Sequence, residues 1–255
     1  MHSPLSNGEL RKLLRSGVQT YGTFLGLGTP VAAEIAAVAG LDWVLLDLEH
    51  GSASESDIGP TVVASGAYGI PTIVRVESQE RIRIGRALDA GAAGIMVPQI
   101  KSVAEVQEVI KYISYPPNGV RGVATYNRSA LWGNDLTGLS DGSQAACIIQ
   151  IETLGALENV SEIAAIPEVD VLFVGPLDLS FALGVPRDFK SEKFIEATKQ
   201  VVEAANKHKK VAGIVALDAD AAEELRDRGF KFVIIGSDST ILANSISKYV
   251  KQLRK

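Results

Sequence analysis

A single cysteine, three histidines and two tryptophans in 255 residues leave several chemistries without their reagents. A chain of this length buries roughly three quarters of the surface its unfolded form exposes, so it needs neither a disulfide nor a structural metal to hold a core, and the lone Cys147 agrees. Positive charge is also scarce. Twenty-five Lys and Arg against 30 Asp and Glu give a net charge of −5, a balance that repels phosphate backbones and makes nucleic acid an unexpected partner. No run of about 18 uncharged apolar residues exists to cross a membrane. Glu9, Arg11, Lys12 and Arg15 interrupt the stretch where a signal peptide is apolar, so the cytoplasm is the expected location. With no low-complexity tract and no Gly/Ser linker, residues 1–255 read as one folded domain.

What recurs is a short apolar run, a turn and a helix-like stretch. The runs are Tyr21–Leu27, Trp43–Asp47, Thr72–Val76, Gly94–Val97, Cys147–Ile151, Val171–Val174, Val211–Ala216 and Phe232–Ile235. Each is too short for a buried helix, and several are rich in β-branched residues. Between them, helical spacing follows start signals: Thr29-Pro30 before Val31–Ala39, Ser78 before Glu80–Asp89, Ser102 with Glu105, and Ser191 before Phe194–Asn206. Gly40, Gly91 and Gly229 close helices. Runs that are apolar throughout, rather than alternating, read as parallel strands covered on both faces. Repeated along the whole chain, they make an α/β fold, a (β/α)8 TIM barrel ahead of an open doubly wound sheet. The stretch Tyr112–Leu139, with Pro116 and Pro117, exceeds an ordinary connection and is expected to form an excursion at the barrel mouth. A last helix over Thr240–Lys255 carries an apolar stripe, Ile241, Leu242, Ile246, Tyr249, Val250 and Leu253, suited to covering the barrel or to reaching a partner subunit.

Chemistry on a parallel barrel sits at the C-terminal ends of the strands, so the polar residues that stop each run matter most. Strand two ends Leu46-Asp47-Leu48-Glu49-His50-Gly51, strand three Val74-Arg75-Val76-Glu77 and strand five Ile149-Gln150-Ile151-Glu152-Thr153. Strand six runs into Val174-Gly175-Pro176-Leu177-Asp178-Leu179-Ser180. Glu152 and Asp178, from consecutive strands, suit a hard cation with open positions, which a 2-oxo acid can fill with its carboxylate and keto oxygen. The plainer alternative has Glu152 capping the next helix and Asp178 pairing with a surface lysine. His50 is the one histidine placed for chemistry, since His2 lies at the chain end and His208 in a lysine-rich helix terminus. Asp47, three residues earlier, is placed to orient its ring; otherwise His50 is a strand-end histidine bonded to a neighbouring loop. A guanidinium inside an apolar strand needs a partner. Arg75 is therefore in an ion pair, with Glu49 or Glu77, or contacts the keto oxygen and carboxylate of a substrate. Gly175-Pro176, and Gly236-Ser237 after strand eight, offer turns whose main-chain N–H groups suit a small carboxylate.

Other chemistries lack their residues. Gly26-Leu27-Gly28 has no third glycine at dinucleotide-loop spacing. No Walker sequence, nucleophile elbow or Cys-His pair occurs, and Cys147 reads as a core residue. A Schiff-base aldolase needs a desolvated lysine at a strand end. Lys210 and Lys231 instead open strands seven and eight, leaving Lys101, after strand four, as the one position open to that chemistry.

The strings Leu46–Gly51, Val74–Val76, Gly91–Pro98, Ile149–Thr153 and Val174–Ser180, in order between about Gly22 and Gly236, together resemble one family. It is the metal-dependent (class II) pyruvate aldolases of the HpcH/HpaI type, which cleave 4-hydroxy-2-oxo acids into pyruvate and an aldehyde through a metal-stabilised pyruvate enolate. The resemblance implies a (β/α)8 barrel whose last helix is exchanged between subunits, in a homo-oligomer assembled as a trimer of dimers. It also implies that Glu152 and Asp178 ligate Mg²⁺ or Mn²⁺, with Co²⁺ or Zn²⁺ as alternatives. Arg75 would steady the enolate oxygen, and His50, paired with Asp47, would serve proton transfer. Gln150 would touch pyruvate or metal-bound water, and the loop of Gly175, Pro176, Leu177 and Ser180 would hold the pyruvate carboxylate. Residues Arg121–Arg128 resemble the loop bordering the aldehyde pocket. Related lyases that split citramalyl or malyl thioesters, and oxaloacetate decarboxylases, use the same machinery on other substrates. A non-catalytic metabolite-binding barrel is the reading from a different class.

Overall fold

A computed structural model describes residues 8–140 and 144–254, so His2 and Lys255 lie outside the described residues. The strands are β1 (Thr20–Leu25), β2 (Trp43–Asp47), β3 (Thr72–Arg75), β4 (Gly94–Val97), β5 (Ala146–Ile151), β6 (Val171–Val174), β7 (Val211–Ala216) and β8 (Phe232–Ser237). They pair in chain order, all parallel, and β8 closes onto β1. The helices are α1 (Glu9–Arg15), α2 (Pro30–Val38), α3 (Ile58–Ala67), α4 (Arg81–Asp89), α5 (Val103–Ile113) and α6 (Thr137–Ser140). They continue with α7 (Leu154–Glu158), α8 (Val160–Ala165), α9 (Pro176–Ala182), α10 (Glu192–Lys207), α11 (Ala219–Asp227) and α12 (Asp238–Leu253). The expected (β/α)8 barrel is therefore the fold.

Side chains alternate across a strand, and that period separates two cores. Val44 and Leu46, Val74, Ile149 and Ile151, and Leu172 and Val174 point out against the helices. Trp43 and Leu45, Ile73, Ile148, and Val171 and Phe173 fill the inside of the barrel. There Trp43 stacks on Phe232 with ring centroids 4.0 Å apart, and Phe173 meets Phe232 edge-on at 6.0 Å. Gly22 makes room for this aromatic layer, because a Cβ at that position would overlap the Trp43 ring.

Helix α1 lies outside the expected elements. Its Leu10 and Leu14 plug the N-terminal end of the barrel, and Arg11 and Arg15 each donate through Nε to the buried Asp170, at 3.1 and 2.7 Å. Asp170 also accepts the Cys147 N–H at 3.0 Å, so one carboxylate ties α1 to β5 and β6. The excursion after α5 reaches the β2–α3 connection on the outside of the barrel, where Arg128 lies beside Glu55 and Gly59. It follows a helix and so leaves from the opposite, N-terminal face, and it lies along the outside of α4. Arg121 donates to Asp89 at 2.8 Å and sits 4.5 Å over the Tyr115 ring, while the Arg128 side chain packs on Gly91. Every residue of the expected apolar stripe on α12 is exposed, and the helix buries none of its residues in this chain. No described helix is long and apolar enough to cross a membrane.

Candidate active site

The inward column that fills the barrel changes character at its C-terminal end. Two residues beyond inward Leu45 comes Asp47; beyond Ile73, Arg75; beyond Ile148, Gln150 and then Glu152; beyond Phe173, Gly175. Strand register then sets Asp47 directly opposite Arg75. Arg75 donates through Nε to Asp47 Oδ1 at 2.8 Å and through Nη2 to Oδ2 at 2.7 Å, a bidentate fork. Its Nη1 lies 3.2 Å from Glu49 Oε2 and 3.5 Å from Gln150 Oε1, and its guanidinium sits 4.7 Å above the Phe24 ring. Of the two expected ion-pair partners, Glu49 is found and Glu77 is not; Glu77 pairs with Arg83 at 3.0 Å.

Asp47 does not orient the His50 ring. Its Oδ1 accepts the main-chain N–H groups of Glu49 (3.1 Å) and His50 (3.3 Å), and Arg75 occupies the rest of the carboxylate. Asp47 thus shapes the turn that carries His50. The acid near the ring is Glu49, whose Oε1 is 3.9 Å from His50 Nε2, and the ring itself is largely exposed. Burial pushes the Glu49 carboxyl above its ordinary range, opposed by the charges of Arg75 and His50. Strand-end spacing had marked Glu49 only as a possible ion partner of Arg75.

Glu152 is buried, and both its oxygens are held. Oε1 accepts from the Gln99 main-chain N–H at 2.8 Å and from Gln99 Nε2 at 3.0 Å, while Oε2 accepts from Gln150 Nε2 at 2.6 Å. It does not cap α7; Thr153 does, its hydroxyl accepting the Ala156 N–H. Gln99 is held at φ 57°, a left-handed conformation that costs a residue with a Cβ roughly 1 kcal/mol or more. Nothing in the sequence marks it, because glutamine has no preference for that region. Asp178, in the first turn of α9, shares with Glu152 and Gln99 a cleft of about 470 Å³.

This donor set fits a divalent cation. Burial, reinforced by the nearby Asp178 and Glu49 carboxylates, pushes the Glu152 carboxyl up to about 7 against the partial relief of the Gln99 N–H. The pocket is short of positive charge, since Arg75 is engaged by Asp47 and Glu49. Glu152 Oε2 packs closely against Gly175, where any Cβ would overlap that oxygen. Among the described residues no group of three or more His, Cys, Asp or Glu could hold a metal. A cation here would take two carboxylates and fill its other positions with water or substrate, as Mg²⁺ and Mn²⁺ sites commonly do.

The raised Glu152 pKa has a measurable sign. The folded chain binds this proton more tightly than the unfolded chain, so metal-free stability falls as pH rises from 4.5 through about 7. The penalty is absent below that window and complete above it, about 3 kcal/mol. Thermal melts of chelated protein should show Tm falling between about pH 5 and 7, and Glu152→Gln should flatten that fall. A variant with the parent's slope would contradict it.

Other expected residues fall as follows. Pro176 is the first residue of α9 and Leu177 is exposed beside Asp178. Ser180 does not reach the mouth: it is fully buried, donating to the Leu177 carbonyl at 2.7 Å and accepting the Arg187 N–H at 3.0 Å. Lys101 lines the cleft but is exposed, so it lacks the desolvation a Schiff base requires. Lys210 has its pKa lowered by burial, yet it lies at the opposite face and donates to the Ile166 and Pro167 carbonyls. Burial raises the Cys147 thiol far above its ordinary value, which leaves it inert. The Gly26 and Leu27 N–H groups are taken by Asp238, so that turn is no phosphate loop.

Known proteins arrange themselves around this geometry. A hydroxypyruvate/pyruvate aldolase of Paraburkholderia phytofirmans is 36% identical over 253 residues, covering 96% of this chain and 97% of its own. A 2-keto-3-deoxy-L-rhamnonate aldolase of Klebsiella pneumoniae is 33% identical, covering 97% and 93%. The crystal structure of an HpcH/HpaI aldolase/citrate lyase family protein from Burkholderia cenocepacia superposes with a TM-score of 0.92 at 33% identity, covering 97% of this chain and all of that one. The fold and these relatives define a carbon–carbon lyase of the aldolase class. The chain belongs to the HpcH/HpaI aldolase/citrate lyase family, whose model matches residues 20–245. That family depends on divalent metals.

Proposed function

We propose that this lyase reversibly cleaves a 4-hydroxy-2-oxo acid into pyruvate and an aldehyde, with Mg²⁺ or Mn²⁺ held by Glu152 and Asp178. The observation that carries the reading is the charge-starved pair of Glu152 and Asp178 in one cleft, next to an arginine locked in place by two acids. Both relatives' names, aldolases of 2-oxo acids, support the same substrate class. When bound, the ion supplies Lewis-acid polarisation of the 2-oxo group.

The chain's own residues do the rest. Arg75, pre-oriented by its fork, puts positive charge where the keto oxygen gains negative charge as the C3–C4 bond breaks, with no reorganisation needed at that moment. Gln150 is a strut between the two groups, its Oε1 facing Arg75 and its Nε2 donating to Glu152. The substrate carboxylate is received by the first turn of α9, where Leu177 and Asp178 offer N–H groups and Pro176 cannot. His50 takes the C4 hydroxyl proton, directly or through a water. Glu49 Oε1 lies 3.9 Å from its Nε2. The bond's electrons pass to the pyruvate enolate, and protonation at C3 releases pyruvate. A coenzyme A thioester is the weaker reading because, among the described residues, Lys101 is the one basic residue lining the cleft. The exposed apolar stripe of α12 supports a homo-oligomer in which this helix packs on another copy.

Pyruvate release from 4-hydroxy-2-oxo acids, followed with and without chelator, tests the reading; release indifferent to chelator would count against it. His50→Ala should lower cleavage by about 10²- to 10⁴-fold while pyruvate still binds. A variant that cleaves like the parent removes His50 from the proton path.

A further inference from the structure

Gln99 stands out because three unusual features meet in it. It is one of the few described residues with a Cβ in the left-handed region, it lies just beyond β4 at the mouth, and its main-chain N–H and side-chain amide both donate to a single acceptor atom. A carboxylate oxygen has two lone pairs in its plane. At Glu152 Oε1 the Gln99 main-chain N–H and Nε2 occupy both, whereas Oε2 receives one donor, from Gln150. Oε2 is also the atom packed against Gly175, at the start of the α9 turn that carries Asp178.

We propose that Gln99 is a positioning residue that closes Oε1 of Glu152 and thereby presents Oε2 as the single oxygen this residue offers a divalent cation. This deepens the function proposed above and rests on its assignment of Glu152 as a ligand. The left-handed backbone is part of the device: it turns the N–H of Gln99 onto the same oxygen that its side chain reaches. The Gln79 amide steadies the arrangement from outside by donating to the Gln99 carbonyl at 3.3 Å. Ligand carboxylates held by outer hydrogen bonds commonly lose about 10- to 100-fold in metal affinity when those bonds are removed.

The test compares Gln99→Leu, which removes the amide, with Gln99→Asn, which tolerates the left-handed backbone but is one methylene too short to reach Oε1. Mn²⁺ affinity is measured on the free protein by electron paramagnetic resonance, and kcat is measured at saturating Mn²⁺. Both variants should bind Mn²⁺ about 10-fold or more weakly, with kcat at saturating metal falling less than the affinity does. Affinity unchanged in both would overturn the proposal. Loss in Gln99→Leu alone would overturn it as well, because the backbone rather than the side-chain bond would then be responsible. Circular dichroism confirms that each variant is folded. The binding measurement needs no substrate, so a wrong substrate class appears as a parent that binds Mn²⁺ without turnover, while a wrong role for Gln99 appears as variants that bind like the parent.

Discussion

Asp178→Asn should abolish metal-dependent cleavage while leaving the barrel folded. Lewis-acid polarisation of a keto oxygen is worth several kcal/mol, and about 4 kcal/mol corresponds to roughly a thousandfold in rate. The fold should survive because Asp178 is exposed at the third position of α9, and among the described residues it makes no ion pair with a lysine or any other cation. Its loss removes only a favourable charge near a helix start, worth about 0.3–1 kcal/mol. Mn²⁺ titration and steady-state turnover, with circular dichroism as the fold control, check this. Turnover within a few-fold of the parent would remove Asp178 from the metal site.

Arg75→Met should act in the opposite way, on the fold as much as on the reaction. It strips the guanidinium from between Asp47 and Glu49 and leaves two largely buried carboxylates facing each other without a counter-charge. Breaking one side of a buried ion pair costs about 3–5 kcal/mol. The denaturant midpoint should fall accordingly, and the turn carrying His50, which Asp47 holds through the Glu49 and His50 N–H groups, should loosen with it. Arg75→Lys separates the two effects. A lysine keeps the charge but cannot reproduce the fork. It should therefore restore most of the stability while turnover stays about 100-fold or more below the parent, as expected when one preorganised donor is lost. Full activity in Arg75→Lys would show that charge alone, and not the bidentate geometry, is what the site requires.

The strand ends were legible because the barrel is strict about phase. Asp47, Arg75, Gln150 and Glu152 fall at inward positions directly beyond apolar inward residues, so their convergence follows once the runs are recognised as parallel strands. Less visible was anything decided by a partner far along the chain. Arg11 and Arg15 looked like charges that merely interrupt an apolar stretch, whereas Asp170, more than 150 residues later, makes them the anchor of α1. The α9 helix begins with proline and is only 7 residues long, too brief for periodicity to reveal. The course of the excursion was only partly deducible: it follows α5, and a segment leaving a helix starts from the face opposite the active site. The pairing of Glu49 with the His50 ring, and the left-handed turn at Gln99, depend on side-chain directions and a backbone conformation that residue types alone do not specify.

The central claim is that this barrel forms the enolate of pyruvate with the help of a divalent ion held by Glu152 and Asp178. Proton NMR of pyruvate in deuterium oxide tests it without any choice of aldehyde. With Mn²⁺ removed after incubation, or with Mg²⁺ present throughout, the methyl resonance should fade in the presence of the parent protein. It should persist with chelator and with Asp178→Asn. A methyl signal that persists under every metal would contradict the account.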